Sequence, residues 1–430
     1  MSSHRRARLL AAVALLTVPL AAPAATAHPP AAILVRQSVP ALTQSERQAY
    51  VQAVLALKHA PSPYRQDRSR GWSWYDTFVH WHEQLSDCGA TELNLHPSMM
   101  GHAGPMFLAW HREFLNLFQQ ALDAVSGRPV PIPYWDWADP SAADPGEWQA
   151  VFRNDFMGPN GNPADGYAVD EGPFTRTTWP LRVWQPHGLI FTAYEANTPY
   201  LSRDFSPALP SQSDVRTALS APSYDVAPYD ERSDPAASFR EAVEGFTPVS
   251  SQVPVSVTGC APDRPTDPST GDEGTIPVND TGALPGGKER MHNLVHLSVG
   301  GTFATPQASA QGLSTAGTMR IITDSPNDPV FFLHHAQIDR LWALWQAHHA
   351  NSGYQPAAEA DYPRNALHSP MFPFDTYGIT VTPADVLDTR QLGYVYAAPA
   401  YDPTAGTVGA GPATASSLAS LMANPDWVCR

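Results

Sequence analysis

Two sets of histidines, far apart in the chain, have the make-up of metal sites. The first is His82, His102 and His111, the last two within His102-AGPMFLAW-His111-Arg112. The second is His292-NLV-His296 followed by Asp328-PVFFLH-His335-AQI-Asp339. Histidines four apart on a helix share one face, so the rings of His292 and His296 can converge on one ion. Three neutral imidazoles with no thiolate or carboxylate suit copper and also zinc. Number separates the two metals. A lone three-histidine zinc site keeps a water in its fourth position, whereas two such sets facing each other would let two copper ions share the two-electron reduction of dioxygen. Zinc has no redox chemistry to share. The pattern therefore points to oxygen chemistry.

Two choices within these sets follow from helical spacing. His80 and His82 cannot both face inward. Tyr75, Phe78 and His82 fall three and four apart on one face, which selects His82. In the His334–His335 doublet, His335 is taken as the ligand and His334 as its neighbour in the surrounding shell. Asp339, four residues after His335, would orient an imidazole or pair with an arginine such as Arg340 or Arg112. His28, His59, His96, His187, His348, His349 and His368 carry no such pattern and read as ordinary core or surface histidines.

Helices must carry these ligands. Apolar periodicity predicts helices over 42–60, with Thr43 and Glu46 as a capping box, and over 73–85 and 105–124. Others are expected over 236–246, 287–297 and 328–349. His102 falls just before the 105–124 helix or in its first turn. Pro133-YWD-Trp137 reads as a rigid aromatic segment packed on a helix. Residues 138–235 are rich in Gly, Pro, Asn and Asp and read as long loops around short elements. Residues 250–287 read as an insertion. The fold class expected is mainly α: a four-helix bundle holding the metals in its core, with long loops and few short strands.

The chain has 430 residues, with 26 Lys+Arg against 41 Asp+Glu and a net charge of −15. No basic run follows the N-terminus, which argues against nucleic-acid binding. Arg5, Arg6 and Arg8, an apolar run from Leu9 and the small residues Ala25-Thr-Ala27 read as an export signal over 1–27. A mature domain over 28–402 and a tail over 403–430 would follow, giving a secreted or extracytoplasmic protein. The paired arginines leave both folded-state and Sec export open. Prolines interrupt the apolar run early, against a retained membrane anchor. Cys88, Cys260 and Cys429 allow at most one internal disulfide, with the pairing open.

These residues resemble the tyrosinase/polyphenol oxidase family of type 3 copper proteins, which also includes hemocyanins. Tyr75-DTFVHW-His82 is similar to that family's first-histidine helix. His102-AGPMFLAW-His111-Arg112 and Asp328-PVFFLHHAQI-Asp339 are similar to its two copper signatures, and His292-Asn293-LV-His296 to the remaining pair. The resemblance covers about residues 33–400. It implies two copper ions held by His82, His102, His111, His292, His296 and His335. It further implies that Arg36 tethers the chain start to Tyr394-Val-Tyr396. Glu244, in Phe239-REAV-Glu244-Gly245, and Asn293 would hold and polarise a water that deprotonates monophenols. The segment from Glu244 to His292 is longer than is usual in the family. Where many relatives cross-link a cysteine to a histidine, Met100 stands here, and where a glutamate is usual, Gln119 stands.

The implied activity is a monophenol/o-diphenol oxidase that hydroxylates phenols and oxidises catechols to o-quinones with dioxygen. Its partners would be small phenols and dioxygen, with a separate copper chaperone as in some bacterial relatives. The oligomeric state is open. The rival readings are a catechol oxidase without monophenol activity, a reversible dioxygen carrier and a two-zinc hydrolase. The absence of bridging carboxylates in the motifs weakens the last.

Overall fold

The computed structural model describes residues 33–86, 101–139, 148–184, 187–190, 193–206, 208–230, 233–245, 252–256, 275–279, 290–310, 315–359 and 364–397. The leader, the 403–430 tail, Met100 and all three cysteines lie outside these residues.

Six helices matter for the site: α1 (Gln44–His59), α2 (Trp74–Ser86), α3 (Phe107–Ser126), α4 (Phe239–Glu244), α5 (Met291–Gly300) and α6 (Val330–His348). Each has a start or stop legible in its residues. Thr43 and Glu46 close the expected capping box on α1, satisfying two N–H groups that the first turn leaves unpaired. Ser73 and Asp76 do the same at α2, with Ser73 N–H donating to Asp76 Oδ2 at 2.9 Å and Asp76 N–H to Ser73 Oγ at 3.1 Å. Gly127 ends α3 at φ +62, a left-handed position that costs glycine little.

Packing follows from the aromatic stripes. Phe118 of α3 stacks on Phe332 of α6, centroids 3.5 Å apart, and Phe78 of α2 meets Phe118 edge-on at 5.2 Å. Such pairs add about 0.5–1.5 kcal/mol each beyond the area they bury. They lock α2, α3 and α6 together, and α5 completes the expected four-helix core. Buried Lys58 of α1 reaches Asp76 of α2 at 2.5 Å.

The strands are short, as expected: β1 (Leu34–Arg36), β2 (His187–Ile190), β3 (Ala193–Ala196), β4 (Gln252–Ser256), β5 (Thr275–Asn279), β6 (Thr302–Phe303), β7 (Thr315–Ala316) and β8 (Tyr394–Tyr396). One sheet has the order β2-β3-β7-β6. The 250–287 insertion carries an antiparallel β4–β5 pair, with Gln252 opposite Asn279. β1 and β8 pair in parallel, Arg36 opposite Tyr396.

That last pair leads into a buried charge hub. Asp339 of α6 accepts from Arg112 Nε at 2.5 Å, Tyr394 Oη at 2.6 Å, Tyr396 Oη at 2.5 Å and Arg36 Nη1 at 3.5 Å. Burial opposes its charge, but Arg112, Arg36 and the two phenols outweigh that and hold its pKa below the ordinary carboxylate value. Of the two arginines expected beside Asp339, Arg112 is the partner. Arg340 pairs instead with Asp136 at 3.0 Å. Among the described residues no helix is long and apolar enough to cross a membrane.

Candidate metal centre

The first cluster draws on two helices and a turn. His82 sits on α2 and His111 on α3, while His102 lies five residues before α3 begins. One nitrogen from each lies within 4.8 Å of the others, and all three side chains are buried. His82 Nδ1 faces the Thr323 carbonyl at 3.3 Å, and His111 Nδ1 faces the Phe107 carbonyl, one turn earlier, at 2.9 Å. A carbonyl can only accept, so these nitrogens carry the hydrogen and the Nε2 lone pairs are left for the site. His102 has no such partner on Nδ1. His80 faces away, as expected, with Nδ1 on Glu83 at 3.0 Å.

The second cluster gathers four histidines: His292, His296, His334 and His335. Met319 O takes the His296 Nδ1 hydrogen at 2.8 Å, and Asn293 Oδ1 takes that of His292 at 2.9 Å. Nε2 of His335 then lies 3.3 Å from Nε2 of His292 and 3.4 Å from Nε2 of His296. The doublet resolves through Trp137. Its indole N–H donates to His334 Nδ1 at 3.1 Å, which occupies that lone pair and puts the ring hydrogen on Nε2. His334 is thus left with no lone pair for a metal, and His335 fits as the third ligand. Trp137 is the aromatic-segment residue expected to pack on a helix.

The clusters meet through His111 and His335, whose rings stack with centroids 4.2 Å apart at 15°. Phe331 also stacks on His335, at 4.0 Å, and Phe107 lies edge-on to His292 at 4.8 Å. Burial in this apolar shell lowers the imidazole pKa values, to about 3 for His82 and about 4 for His296, with the other ligand candidates well below the ordinary value. Neutral imidazoles are the form that binds metal. The donor set fits a pair of ions. His82 Nε2 and His111 Nε2 are buried without a hydrogen-bond partner. Nε2 of His292 and Nε2 of His296 both turn on His335 Nε2, which can give a hydrogen to one of them at most. Leaving such atoms unsatisfied would cost about 1–3 kcal/mol apiece. Beside His102, His292 and His296 is a gap of about 10 Å³ with Leu297, Arg320 and Ile322 on its walls. The gap as it stands is too small for an aromatic ring.

The two non-histidine candidates both reach the site. Asn293 is buried, its Oδ1 spent on His292. Glu244 is buried, Oε1 accepting from the Ala103 N–H at 2.6 Å and Oε2 facing Arg240 Nη1 at 3.2 Å. Burial pushes its pKa up to about 8 against the pull of Arg240. His59, His348, His349 and His368 join neither cluster. His28 and His96 lie outside the described residues, as does the side chain of His187. Gln119 ties the chain after α3, donating to Val130 O at 2.9 Å and accepting from Ile132 N–H at 3.0 Å. Sequence reasoning missed Phe331 and the carbonyl partners. Phe331 lies four before His335 and Phe107 four before His111, so helical spacing held a signal for those two. Met319, in the 3-10 turn Thr318–Arg320, and Thr323, in the turn that follows, left none.

A family model described as the common central domain of tyrosinase matches residues 73–348, from the start of α2 to the end of α6. The chain belongs to the tyrosinase family. Among curated tyrosinase-family relatives, a tyrosinase of Streptomyces glaucescens is 32% identical over 361 residues, covering 82% of this chain and 96% of the relative. A grixazone synthase of Streptomyces griseus is also 32% identical, over 84% of this chain and 98% of its own. A solved polyphenol oxidase variant from Thermothelomyces thermophila has the same fold. Its TM-score is 0.55 at 22% identity, over 85% of this chain and 89% of that one.

Proposed function

We propose that this tyrosinase-family protein is a dicopper oxidase that hydroxylates monophenols and oxidises o-diphenols to o-quinones with dioxygen. One observation carries the reading. Two buried sets of neutral imidazoles, His82/His102/His111 and His292/His296/His335, face each other across stacked rings. Family membership supports phenols and dioxygen as the substrates, as do tyrosinases among the relatives.

Copper supplies the two-electron exchange with dioxygen, and the protein supplies everything that positions it. Nitrogen lone pairs of the six histidines would hold the two ions. Thr323, Phe107, Met319 and Asn293 fix four of the rings through their Nδ1 hydrogens, which sets both tautomer and aim. Phe107 and Phe331 keep the centre dry, so charges there are poorly screened and the imidazoles stay uncharged. The phenol comes in beside His102, His292 and His296, where the small gap lies, and must shed its hydroxyl proton as it reacts. Asn293 and Glu244 are the candidates for handling that proton, and both already hold protein partners. The signal-like residues 1–27 support export, with the catalytic domain acting outside the cytoplasm.

The test is oxygen uptake by the copper-loaded protein. Uptake is expected with a monophenol given alone, with o-quinone forming. Uptake only with a diphenol would make the protein a catechol oxidase. Reversible oxygen binding without product would make it a carrier.

A further inference from the structure

His102 is the exception among the six ligand candidates, because it alone stands outside a helix. His82 and His111 rest their Nδ1 on carbonyl oxygens, while His102 Nδ1 has no hydrogen-bond partner. Its neighbour Ala103 has φ +52, a left-handed conformation that a residue with a Cβ disfavours. A turn of this kind needs to be held from outside. Two bonds hold it. Glu244 Oε1 accepts the Ala103 N–H at 2.6 Å, and Tyr224 Oη donates to the Pro105 carbonyl at 2.5 Å. Glu244 is itself fully buried and braced. Its Oε2 faces Arg240, which is clamped in turn by Asp225 through Nε at 2.9 Å and Nη2 at 3.1 Å. Gly245, the residue after Glu244, accepts from the Arg290 N–H at 3.1 Å, two residues before His292.

We infer that Glu244 is a positioning residue: through the Ala103 N–H it fixes the turn that aims His102 at the first copper ion. This rests on the dicopper reading above. It differs from the proton-handling role that the family resemblance implies for Glu244. Both Glu244 oxygens already face protein donors, the Ala103 N–H and Arg240, which is the geometry of a brace. Removing an outer-shell partner of this type typically weakens metal binding about 10–100-fold.

The experiment titrates copper into the metal-free full-length protein and its E244L, E244D and E244Q variants. Copper per chain and the electron paramagnetic resonance of the cupric form are read together with monophenol and diphenol rates. E244L is expected to bind one of its two ions about 10–100-fold more weakly. Half-loaded, it shows the resonance of an isolated cupric ion that a coupled pair hides, and its two rates fall in parallel. E244D draws the carboxylate back by one methylene and should weaken the same ion to a smaller degree. E244Q keeps an oxygen for the Ala103 N–H and should restore two tightly held ions. Two results overturn the inference. One is E244L and E244D, folded by circular dichroism, loading both ions as the wild type does. The other is E244Q holding both ions and its diphenol rate while losing the monophenol rate, which would make Glu244 a proton acceptor. Should E244L not fold, the E244D titration decides alone. Wild-type protein that binds fewer than two ions contradicts the copper reading and this inference with it. Two ions without phenol oxidation contradicts only the function, and the variant titrations still decide the role of Glu244.

Discussion

The two histidine clusters are built to different standards of rigidity. In the second, every ligand candidate sits on a regular helix: His292 and His296 one turn apart on α5, His335 on α6. In the first, His82 and His111 are helical but His102 hangs on a turn through Ala103. Helical placement is local, because the helix backbone itself fixes the direction of each Cα–Cβ bond. Turn placement is borrowed, because Glu244 and Tyr224 must supply from distant sequence what a helix supplies from within. The comparison teaches that the second cluster should survive changes around it that the first does not.

The sharpest way to break that contrast is at the hub serving both. Asp339→Asn should cost about 3–5 kcal/mol, the range for uncompensating a buried ion pair. It loosens α3 against α6, and so both clusters, which thermal unfolding and copper content would show together. Equal copper retention with a lowered melting temperature would mean the clusters do not depend on the hub.

A smaller change separates ligand aim from fold. Asn293→Ala removes the acceptor for His292 Nδ1 and should weaken the second-site ion about 10–100-fold. The first-site ion should hold in a copper titration. Next in size, His334→Ala strands the Trp137 indole N–H and should cost about 1–3 kcal/mol of stability while leaving two ions bound. His335→Ala should instead leave one. A His334→Ala protein with one ion would reverse the assignment within the doublet.

A separate effect concerns the metal-free protein. The folded-state pKa of His82 lies at about 3 and that of His296 at about 4, both below the ordinary 6.5 because of burial. Below pH 6.5 the unfolded chain binds protons that the folded one refuses. Stability is therefore complete above that value and lost as pH falls through about 4 and 3. A pH series of melting temperatures would show the decline, and a flat profile from pH 7 to 4 would contradict it.

What was legible in the sequence tracks locality. The helices carrying His82, His111, His292, His296 and His335 show in apolar periodicity and i,i+4 spacing, so their ends fall within a few residues of the expected ones. The capping box at Thr43 was readable for the same reason. For Asp339 the sequence offered Arg340 or Arg112, and the fold selects Arg112, 227 positions away. What escaped was long-range. Met319 O under His296, Thr323 O under His82 and Trp137 against His334 are set by how loops cross helices, and no spacing encodes them. The role expected of Glu244 came from resemblance. The structure adds the 2.6 Å bond to Ala103, a partner 141 positions away in sequence.

The central claim is that six imidazoles hold two coupled copper ions that oxidise phenols. The most direct measurement counts copper per chain in folded wild-type, His111→Ala and His335→Ala protein and follows oxygen uptake with a monophenol alone. Two ions and quinone formation are predicted for the wild type, and one ion with only background oxidation for each variant. A single ion in the wild type, or an undiminished rate in either variant, would contradict the account.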